Sequence, residues 1–450
     1  MFTLDELLHI TNGILYAKGN DSVIESVHFD SRQLTPNSLF IALTSGTADG
    51  HDFLSNAFQQ GASCAIISKK IDISSFSGVN LILVDDTELA FQSIAKAYRE
   101  QLDIQVIAVT GSSGKTSTKD VIAHVLGTKK QVFKTFKNLN NHLGLPLSIL
   151  QIKPEHEVAV LELGMNHAGE IDLLASIAQP TISVITNIGD AHIEFFGTRE
   201  KIADAKAELL PHTSKDGFVL LNRDNDLCDY LASKSPVKTY YYSVSNFGDI
   251  FTTFLKTIDR GMSFSVQLGD KTIEDLFIPL FGEHNVSNTL TALFIANALG
   301  FKEDEMKQAL ATLTISEMRF QVIDIQNEGV VINDAYNANP TSMKASISTF
   351  SKIFPSRKKV LILGDMFELG EDSYELHADI GFFLNDYTEY ILYTLGEESK
   401  AISDQFLGDS SHFTNYEELT TQLKSYINSD HVLLFKGSRG MKLEKIINAL

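Results

Sequence analysis

The chain has 450 residues, which is too long for one hydrophobic core and predicts two or three domains. Hydrophobic residues make up 44% and charged residues 21%, as in ordinary soluble globular proteins. The net charge of −20 argues against a nucleic-acid partner, because phosphate backbones are bound by an excess of lysine and arginine. A local phosphate site remains compatible with this charge, since a few backbone amides and one lysine can form one.

The termini and cysteines indicate an intracellular protein. Cys64 and Cys228 are far apart in sequence and cannot form a disulfide framework or a four-thiolate zinc site. The N-terminus is typical of a short amphipathic helix stopped by Gly13, not of a secretory signal. No stretch approaches the ~20 apolar residues that span a bilayer. We therefore expect a cytoplasmic location and no membrane span.

Residues 1–86 predict a small α/β domain. Short apolar runs predict strands at Val27–Phe29, Leu39–Leu43, Cys64–Ser68 and Leu81–Val84. Asp52–Gln60 has the pattern of a helix between the second and third of these strands. The apolar spacing of Thr87–Leu102 predicts another helix, which opens the next domain.

Residues 87–314 predict a central domain of repeated strand–loop–helix units. Nearly continuous apolar runs predict strands at Ile104–Val109, Val158–Leu163, Ile182–Thr186 and Phe218–Leu221. Such runs indicate strands buried on both faces, and hence a parallel sheet covered by helices. Residues 237–280 instead alternate with a period of two, which predicts antiparallel strands. Helices are predicted over Val286–Leu299 and Glu303–Leu313.

Residues 315–450 predict a second doubly wound sheet, similar to a Rossmann fold. Its predicted strands are Val330–Asn333, Val360–Leu363, Tyr390–Leu395 and Val432–Phe435. Helices are predicted between or after them, at Thr341–Phe354, Tyr374–Leu384 and Met441–Leu450. The fold class is therefore α/β, with a small N-terminal domain, a central parallel-sheet domain with an antiparallel portion, and a doubly wound C-terminal domain.

A glycine-rich turn, TGSSGKT at Thr110–Thr116, follows the first central strand and opens a helix over Ser117–Leu126. This context is what a phosphate-binding loop requires, because glycines let backbone amides surround oxygen atoms at a helix N-terminus. Lys115 can reach the β- and γ-phosphates, and Thr116 can present its hydroxyl to Mg²⁺. The general pattern has a glycine where this chain has Val109, so the loop is shorter at its front.

Further motifs follow in order along nearly the whole chain. They are FDSR at 29–32, DGHDF at 49–53, NLNNHLGLPLSIL at 138–150, LELGMNHAGEI at 161–171, TNIGDAHIEFFG at 186–197, GEHNVSN at 282–288, NDAYNANPTSM at 333–343, LGDMFELG at 363–370 and LFKGSRGM at 434–441. With the shortened loop, this set resembles the Mur ligases of bacterial cell-wall synthesis. YNANP, LGDM-ELG and KGSR are most typical of the members that add D-alanyl-D-alanine.

The resemblance implies an ATP-dependent ligase that joins D-alanyl-D-alanine to UDP-N-acetylmuramoyl-tripeptide through an acyl phosphate. ATP and Mg²⁺ would be its cofactors, the two substrates its partners, and we expect a monomer. Two alternatives remain open. One is another ligase of the superfamily, which adds diaminopimelate or lysine or is a folylpolyglutamate synthetase. The other is a non-catalytic nucleotide-binding protein with a phosphate loop.

The resemblance also implies site residues. The implied catalytic residues are Lys115, His192, Lys206 and Arg319, and the implied metal ligands are Thr116, Glu162, His192 and, if carbamoylated, Lys206. Nucleotide contacts are implied for Gly111, Ser112, Ser113, Gly114, Lys115, Thr116, Ser117, Asn285, Asn288, Arg319, Asp334 and Asn337. Substrate contacts are implied for Ser31, Arg32, Asn138, Asn140, Asn141, His142, Asn339, Lys436, Ser438 and Arg439. Asparagine is also a common helix N-cap, which is the structural alternative for Asn285 and Asn288.

Overall fold

The computed structural model describes residues 1–20, 23–46, 48–74 and 76–450. Three sheets of α/β architecture follow one another along this part of the chain, which confirms the predicted three-domain α/β class. Within these ranges, no helix is long and apolar enough to cross a membrane. Cys64 and Cys228 are both buried free thiols.

The N-terminal domain contains a five-stranded sheet in its described residues, with strand order β1-β7-β6-β3-β2. Its elements are α1 (Leu4–Thr11), β1 (Ile14–Ala17), β2 (Ser26–His28), β3 (Ser38–Ile41), β4 (Thr44–Ser45), β5 (Ala48–Asp49), α2 (Leu54–Gln59), β6 (Ala62–Ile67) and β7 (Asn80–Leu83). Strands β2, β3, β6 and β7 correspond to the four predicted strands. The first helix ends at Asn12, which takes the left-handed cap conformation expected for Gly13.

The central domain contains a larger sheet and the helices that connect its strands. Its elements are α3 (Thr87–Glu100), β8 (Gln105–Thr110), α4 (Lys115–Gly127), β9 (Val132–Lys134), α5 (Gly144–Leu150), β10 (Val158–Glu162), α6 (Glu170–Ala178), β11 (Ile182–Ile185), α7 (Ile193–Phe196), α8 (Arg199–Ala207), β12 (Phe218–Asn222), α9 (Cys228–Ala232), β13 (Lys238–Ser243), β14 (Ile250–Ile258), β15 (Gly261–Leu268), β16 (Lys271–Ile278), α10 (Glu283–Ala298) and α11 (Glu303–Ala311).

The central sheet has the order β16-β15-β14-β13-β12-β11-β8-β10-β9. Along this order, each strand from β14 to β9, including β8, is parallel to its neighbours in that stretch. Strand β15 pairs antiparallel with both β14 and β16. The antiparallel prediction was therefore wrong for β13, which pairs in parallel with β12 and β14. Alternation of apolar and polar residues indicates which face is buried, and it carries no information on the direction of a neighbour. The carboxyl ends of β8, β10 and β11 lie side by side, which is where open parallel sheets bind ligands.

The C-terminal domain has the strand order β17-β18-β22-β19-β20-β21, with only β17 antiparallel among its described strands. Its elements are β17 (Gln321–Asp324), β18 (Val330–Asn333), α12 (Pro340–Lys352), β19 (Lys358–Gly364), α13 (Ser373–Leu384), β20 (Ile391–Leu395), α14 (Lys400–Gln405), β21 (Asp409–Phe413), α15 (Tyr416–Leu423), β22 (His431–Lys436) and α16 (Glu444–Ile447). The last helix is shorter than predicted because Lys442 adopts a left-handed conformation just before it.

Helix α3 joins the first two domains into one core. Asp86 caps its N-terminus by accepting the backbone N–H groups of Glu88 and Leu89. The helix packs against α1 on one side and against α5 and α6 on the other, and its apolar residues belong to a core cluster shared by both domains. The boundaries near residues 86 and 315 therefore stay predictions.

Arg99 is buried where α3 meets the end of α6, and it supports a stability prediction. Its guanidinium donates to the carbonyls of Ala178 and Leu102 at 2.9 Å and of Gln179 at 3.3 Å. Arg99→Met leaves these carbonyls unpaired and should destabilise the protein by about 2–4 kcal/mol. Urea unfolding should show a lower midpoint, while Lys96→Met, on the exposed face of the same helix, should not. Equal midpoints for both variants would contradict this prediction.

Candidate active site

A cleft of about 500 Å³ opens where the carboxyl ends of the central strands meet the C-terminal domain. Most predicted site residues line it: Ser112, Ser113, Gly114, Lys115, Thr116, Ser117, Asn138, Asn140, Asn141, His142, Glu162, His192, Asn285, Asn288, Arg319, Asp334, Asn337, Asn339 and Lys436. Segments that are far apart in sequence thus meet in one place.

The phosphate loop is held by the segment that follows β11. Gly111 has a φ of 149°, and a Cβ atom there would lie 1.9 Å from the hydroxyl of Thr186, so only glycine fits. Thr186 donates its hydroxyl to the carbonyl of Ser113 at 2.5 Å, and Asn187 accepts the N–H of Ser113 at 2.8 Å. Thr186 and Asn187 also line the cleft, although the sequence analysis did not name them as site residues. Their position directly after a buried strand was the available signal.

Lys115 begins α4 and lies under the loop. Its ammonium donates to the carbonyl of Gly111 at 2.7 Å, and burial lowers the pKa of Lys115 from its ordinary value. Gly114 is the N-cap of α4, and no side chain caps that end of the helix. The first backbone amides of α4 therefore remain available to an anion.

Helix α10 packs beside the loop through its asparagines. Asn288 accepts the Thr118 hydroxyl at 3.1 Å, and a Cβ atom on Gly114 would lie 3.0 Å from the same amide oxygen. Asn285 donates to the carbonyl of Phe281 at 2.8 Å. The N-cap of α10 is Gly282, so the capping alternative is wrong for both asparagines.

Glu162 brings a buried carboxylate to the end of β10. One carboxylate oxygen accepts the Asn140 amide at 2.8 Å, whereas Oε2 has no hydrogen-bond partner among the described residues. Lys119, one turn beyond Lys115, lies 3.7 Å from that oxygen and donates to the carbonyl of Thr135 at 2.9 Å. Burial lowers the pKa of Lys119. The sequence did not identify Lys119 as a site residue, because nothing in the sequence relates Lys119 to Glu162.

Lys206 lies on α8 with only 1% of its surface exposed. It is not among the residues that line the cleft, and within the described ranges no hydrogen bond or ion pair involves its ammonium. Burial, with a smaller contribution from the positive charge of Lys115, lowers the pKa of Lys206 well below its ordinary value. The structure therefore favours a neutral amine at this position.

His192 is in contact with a residue of the C-terminal domain. Its Nδ1 lies 2.7 Å from the carboxylate of Glu368, although the direction of the contact departs from that of an aligned hydrogen bond. His192 lowers the pKa of Glu368, and the charge of Lys115 adds to this effect. Glu368 belongs to the LGDMFELG motif, and the sequence analysis gave it no role.

Arg319 reaches the phosphate loop from the segment between the second and third domains. It donates to the Thr116 hydroxyl at 2.8 Å and stacks at 4.2 Å from the ring centre of Tyr336. Its Nε is buried and has no partner in the described part of the chain. The guanidinium is thus directed at the start of α4 while its buried Nε–H is still unused.

Asp334 organises the C-terminal wall of the cleft. It accepts the N–H of Phe320 at 3.0 Å and the ammonium of Lys436 at 2.8 Å. Lys436 also donates to the carbonyl of Asn337 at 3.1 Å. Asn339 accepts the N–H of Ser342 at 2.8 Å and so caps α12. Lys436 and Asn339 therefore both have structural partners at the cleft wall.

Four predicted substrate residues lie outside the cleft lining: Ser31, Arg32, Ser438 and Arg439. Arg32 is turned back onto Asp30 through two hydrogen bonds of 2.9 Å, which hold the pKa of that carboxyl well below its usual range. Ser438 accepts the N–H of Phe367 at 2.8 Å, and Arg439 pairs with Glu444 at 2.8 Å.

The side-chain oxygen atoms near the phosphate loop are suitable ligands for a hard divalent cation. In the described residues, no cluster of three or more His, Cys, Asp or Glu side chains could hold a metal ion. Mg²⁺ commonly takes one or two protein carboxylates and completes its coordination with phosphate oxygens and water. The unpartnered Oε2 of Glu162, together with the Thr116 hydroxyl, matches that requirement.

Comparison with known protein families gives matches along the chain. The "Mur ligase family, catalytic domain" matches residues 23–105, the "Mur ligase middle domain" residues 109–296 and the "Mur ligase, glutamate ligase domain" residues 318–439. The UDP-N-acetylmuramoyl-tripeptide–D-alanyl-D-alanine ligase of Bacillus subtilis is 38% identical, covering 95% of this chain and 93% of the relative. The enzyme of the same name from Escherichia coli is 35% identical, covering 100% and 98%.

Solved structures show the same similarity. MurF from Acinetobacter baumannii has a TM-score of 0.92 and 30% identity, covering 99% of this chain and 98% of that one. MurF from Thermotoga maritima in complex with ADP has a TM-score of 0.83 and 29% identity, covering 94% and 96%. A Mycobacterium tuberculosis folylpolyglutamate synthase is 15% identical with a TM-score of 0.64, which shows a shared fold alone. The chain belongs to the Mur ligase family.

Proposed function

We propose that this protein is an ATP-dependent ligase that joins D-alanyl-D-alanine to UDP-N-acetylmuramoyl-tripeptide. The products are UDP-N-acetylmuramoyl-pentapeptide, ADP and phosphate, and the reaction belongs to the synthesis of peptidoglycan precursors. The observation that carries the proposal is full-length similarity, at 38% and 35% identity, to two ligases of that name. The cleft adds a physical reason, because it combines a phosphate loop with Glu162 and Arg319.

The reaction proceeds in two displacements. A carboxylate oxygen of the tripeptide attacks the γ-phosphorus of ATP, the bond to the bridging oxygen breaks and ADP leaves. The amine of D-alanyl-D-alanine then attacks the acyl carbon, inorganic phosphate leaves and the amine loses a proton. Phosphoryl transfer of this kind depends on positioning and charge neutralisation more than on a strong base.

Lys115 and Arg319 supply that charge neutralisation in the proposal. Lys115 exchanges its contact with the Gly111 carbonyl for oxygens of the β- and γ-phosphates. Arg319 uses its unpartnered Nε, and the donor now on Thr116, for the transferred phosphoryl group. The loop amides of Gly111–Ser117 surround the remaining phosphate oxygens.

The rest of the nucleotide lies along the C-terminal wall. We assign the ribose to Asp334 and the neighbouring base contacts to Asn337, with Asn285 and Asn288 on the opposite side of the cleft. Lys436 holds Asp334 in place through its 2.8 Å contact, and this support is the role the structure favours for it.

Thr116, Glu162, His192 and carbamoylated Lys206 are the residues that would hold Mg²⁺. Bound there, the ion would neutralise phosphate charge and help to orient the γ-phosphate. Lys206 is suited to carbamoylation, because an uncharged amine can attack CO₂ and the carbamate that forms carries the negative charge a cation needs. The carbamate would also remove the unpaired amine from a buried position.

The remaining assignments concern the substrates. Asn138, Asn140, Asn141 and His142 line the cleft and are proposed to face the muramoyl-tripeptide. Ser31 and Arg32 are proposed for the UDP end, with Arg32 released from Asp30 to pair with the diphosphate. Asn339, Ser438 and Arg439 are proposed for the substrate carboxylates. A cytoplasmic monomer is part of the same proposal, since ATP and the UDP-linked substrate are cytoplasmic metabolites.

Amine specificity tests the function. With UDP-tripeptide and ATP present, phosphate release should require D-alanyl-D-alanine and should not respond to L-lysine or meso-diaminopimelate. Supplying UDP-tripeptides that carry lysine or diaminopimelate at their third residue identifies the acceptor. Release driven by a single amino acid would favour another ligase of the superfamily. Tight ATP binding without turnover on any substrate would favour the non-catalytic alternative.

Lys115→Ala tests the phosphate site. Loss of a preorganised cation at the transferred phosphoryl group should reduce kcat by about 10²–10³-fold or more. Circular dichroism should remain unchanged, because within the described residues the Lys115 side chain makes a single hydrogen bond, to Gly111. Lys215→Ala, on an exposed loop, is the matched control. Turnover of Lys115→Ala near that of the control would refute the proposed ATP site.

Lys206 offers a direct spectroscopic test. After equilibration with ¹³C-bicarbonate near neutral pH, the protein should show a ¹³C carbamate resonance that disappears in Lys206→Met. Burial lowers the pKa of the Lys206 amine, which favours the uncharged form that reacts with CO₂. Ligase activity of Lys206→Met should fall in parallel. A carbamate signal that survives the substitution would show that another lysine is modified.

A further inference from the structure

The LGDMFELG motif at residues 363–370 has no role in the proposed reaction, although its backbone conformation at Glu368 is unusual. The segment Leu363–Gly370 leaves β19 and carries Glu368 out of the C-terminal domain towards His192. Glu368 has a φ of 62° and His192 a φ of 67°. Both are left-handed conformations that residues other than glycine rarely adopt. Two such residues meet in a single contact across the domain boundary, at the phosphate end of the cleft.

The segment is held rigidly from within its own domain. The N–H of Met366 donates to Nε2 of His377 at 2.9 Å, and His377 is completely buried. The N–H of Phe367 donates to the hydroxyl of Ser438 at 2.8 Å. Ser438 is the serine of KGSR, so two motifs that are distant in sequence combine to fix the position of Glu368.

The loop that carries His192 is held against the same domain. Thr341, at the start of α12, donates its hydroxyl to Asp190 at 2.9 Å. Gly370 approaches Glu194 so closely that a Cβ atom on the glycine would lie 3.3 Å from that side chain. The contact of Glu368 with His192 therefore lies between two other contacts that join the same loop to the C-terminal domain.

We propose that Glu368 is a positioning residue, which holds the proton of His192 on Nδ1 and thereby directs Nε2 of that ring into the site. A carboxylate beside one imidazole nitrogen sets the tautomer and the orientation of the ring. The lone pair of the unprotonated Nε2 is then available to a ligand in the site. Glu368 arrives with the C-terminal domain, so His192 acquires this orientation only when that domain is docked.

The substitutions Glu368→Gln and Glu368→Met separate this role from a simple charge effect, because both remove the charge and only the second removes the hydrogen-bond acceptor. The inference rests on the proposed function only for its kinetic readout. Glu368→Met removes the acceptor and should reduce kcat about 10–100-fold, as loss of a supporting partner of a site histidine does. Glu368→Gln should be clearly less impaired, because its amide oxygen still accepts the Nδ1 proton. KM for UDP-tripeptide should stay within twofold in both, and Glu371→Gln, at an exposed acid directly after the segment, should behave as wild type.

Histidine NMR tests the same proposal without catalysis. Protein labelled with ¹⁵N at its histidines gives a His192 signal that a His192→Gln spectrum identifies. Wild type and Glu368→Gln should show His192 protonated at Nδ1, and Glu368→Met should show a mixture of tautomers. Equal kcat for the glutamine and methionine variants, or a His192 tautomer that does not respond to methionine, would overturn the proposal. Wild-type protein that fails to ligate D-alanyl-D-alanine would instead overturn the proposed function, and the NMR comparison would still decide the role of Glu368.

Discussion

Unbalanced positive charge at the floor of the cleft is the constraint on which the site depends. Lys115 and Arg319 line the cleft and Lys206 is buried outside its lining, and the described residues give none of the three a carboxylate at ion-pair distance. Buried charges without partners are unfavourable. Burial lowers the pKa of Lys206, which favours its uncharged form, and the cations of Lys115 and Arg319 rest on oxygen atoms of the phosphate loop. A polyphosphate completes the charge balance, and so a chain of net charge −20 can still bind one.

This arrangement requires more than one domain. The central sheet alone supplies the loop, Lys115 and Glu162, because the carboxyl ends of β8 and β10 are neighbours. Asp334 and Lys436 come from the ends of β18 and β22, which are neighbours in the C-terminal sheet. The two sheets present their carboxyl edges to the same cleft, and the proposed nucleotide site lies between them.

The sequence predicted the buried parallel strands well, because continuous apolar runs such as that of β10 have few alternative interpretations. It failed for features that depend on residues distant in sequence or that have little apolar pattern. The neighbours of β13 determine its direction, and the short edge strand β9 and the polar edge strand β21 have little apolar pattern. Among candidate site residues, Lys115 was indicated by the glycine-rich turn and Arg319 by the family resemblance. Glu368 was quoted within a motif but received no role, because its partner His192 is distant in sequence and only the fold brings them together.

The antiparallel extension of the central sheet has a practical consequence for engineering. Strands β14 and β15 are joined at the exposed turn formed by Asp259 and Arg260, and their register closes between Ile258 and Gly261. No residue of this hairpin lines the cleft. Exposed turns of this kind accept inserted sequence with little effect on folding. A peptide tag or fluorophore introduced there would report on the protein in cells without disturbing its chemistry.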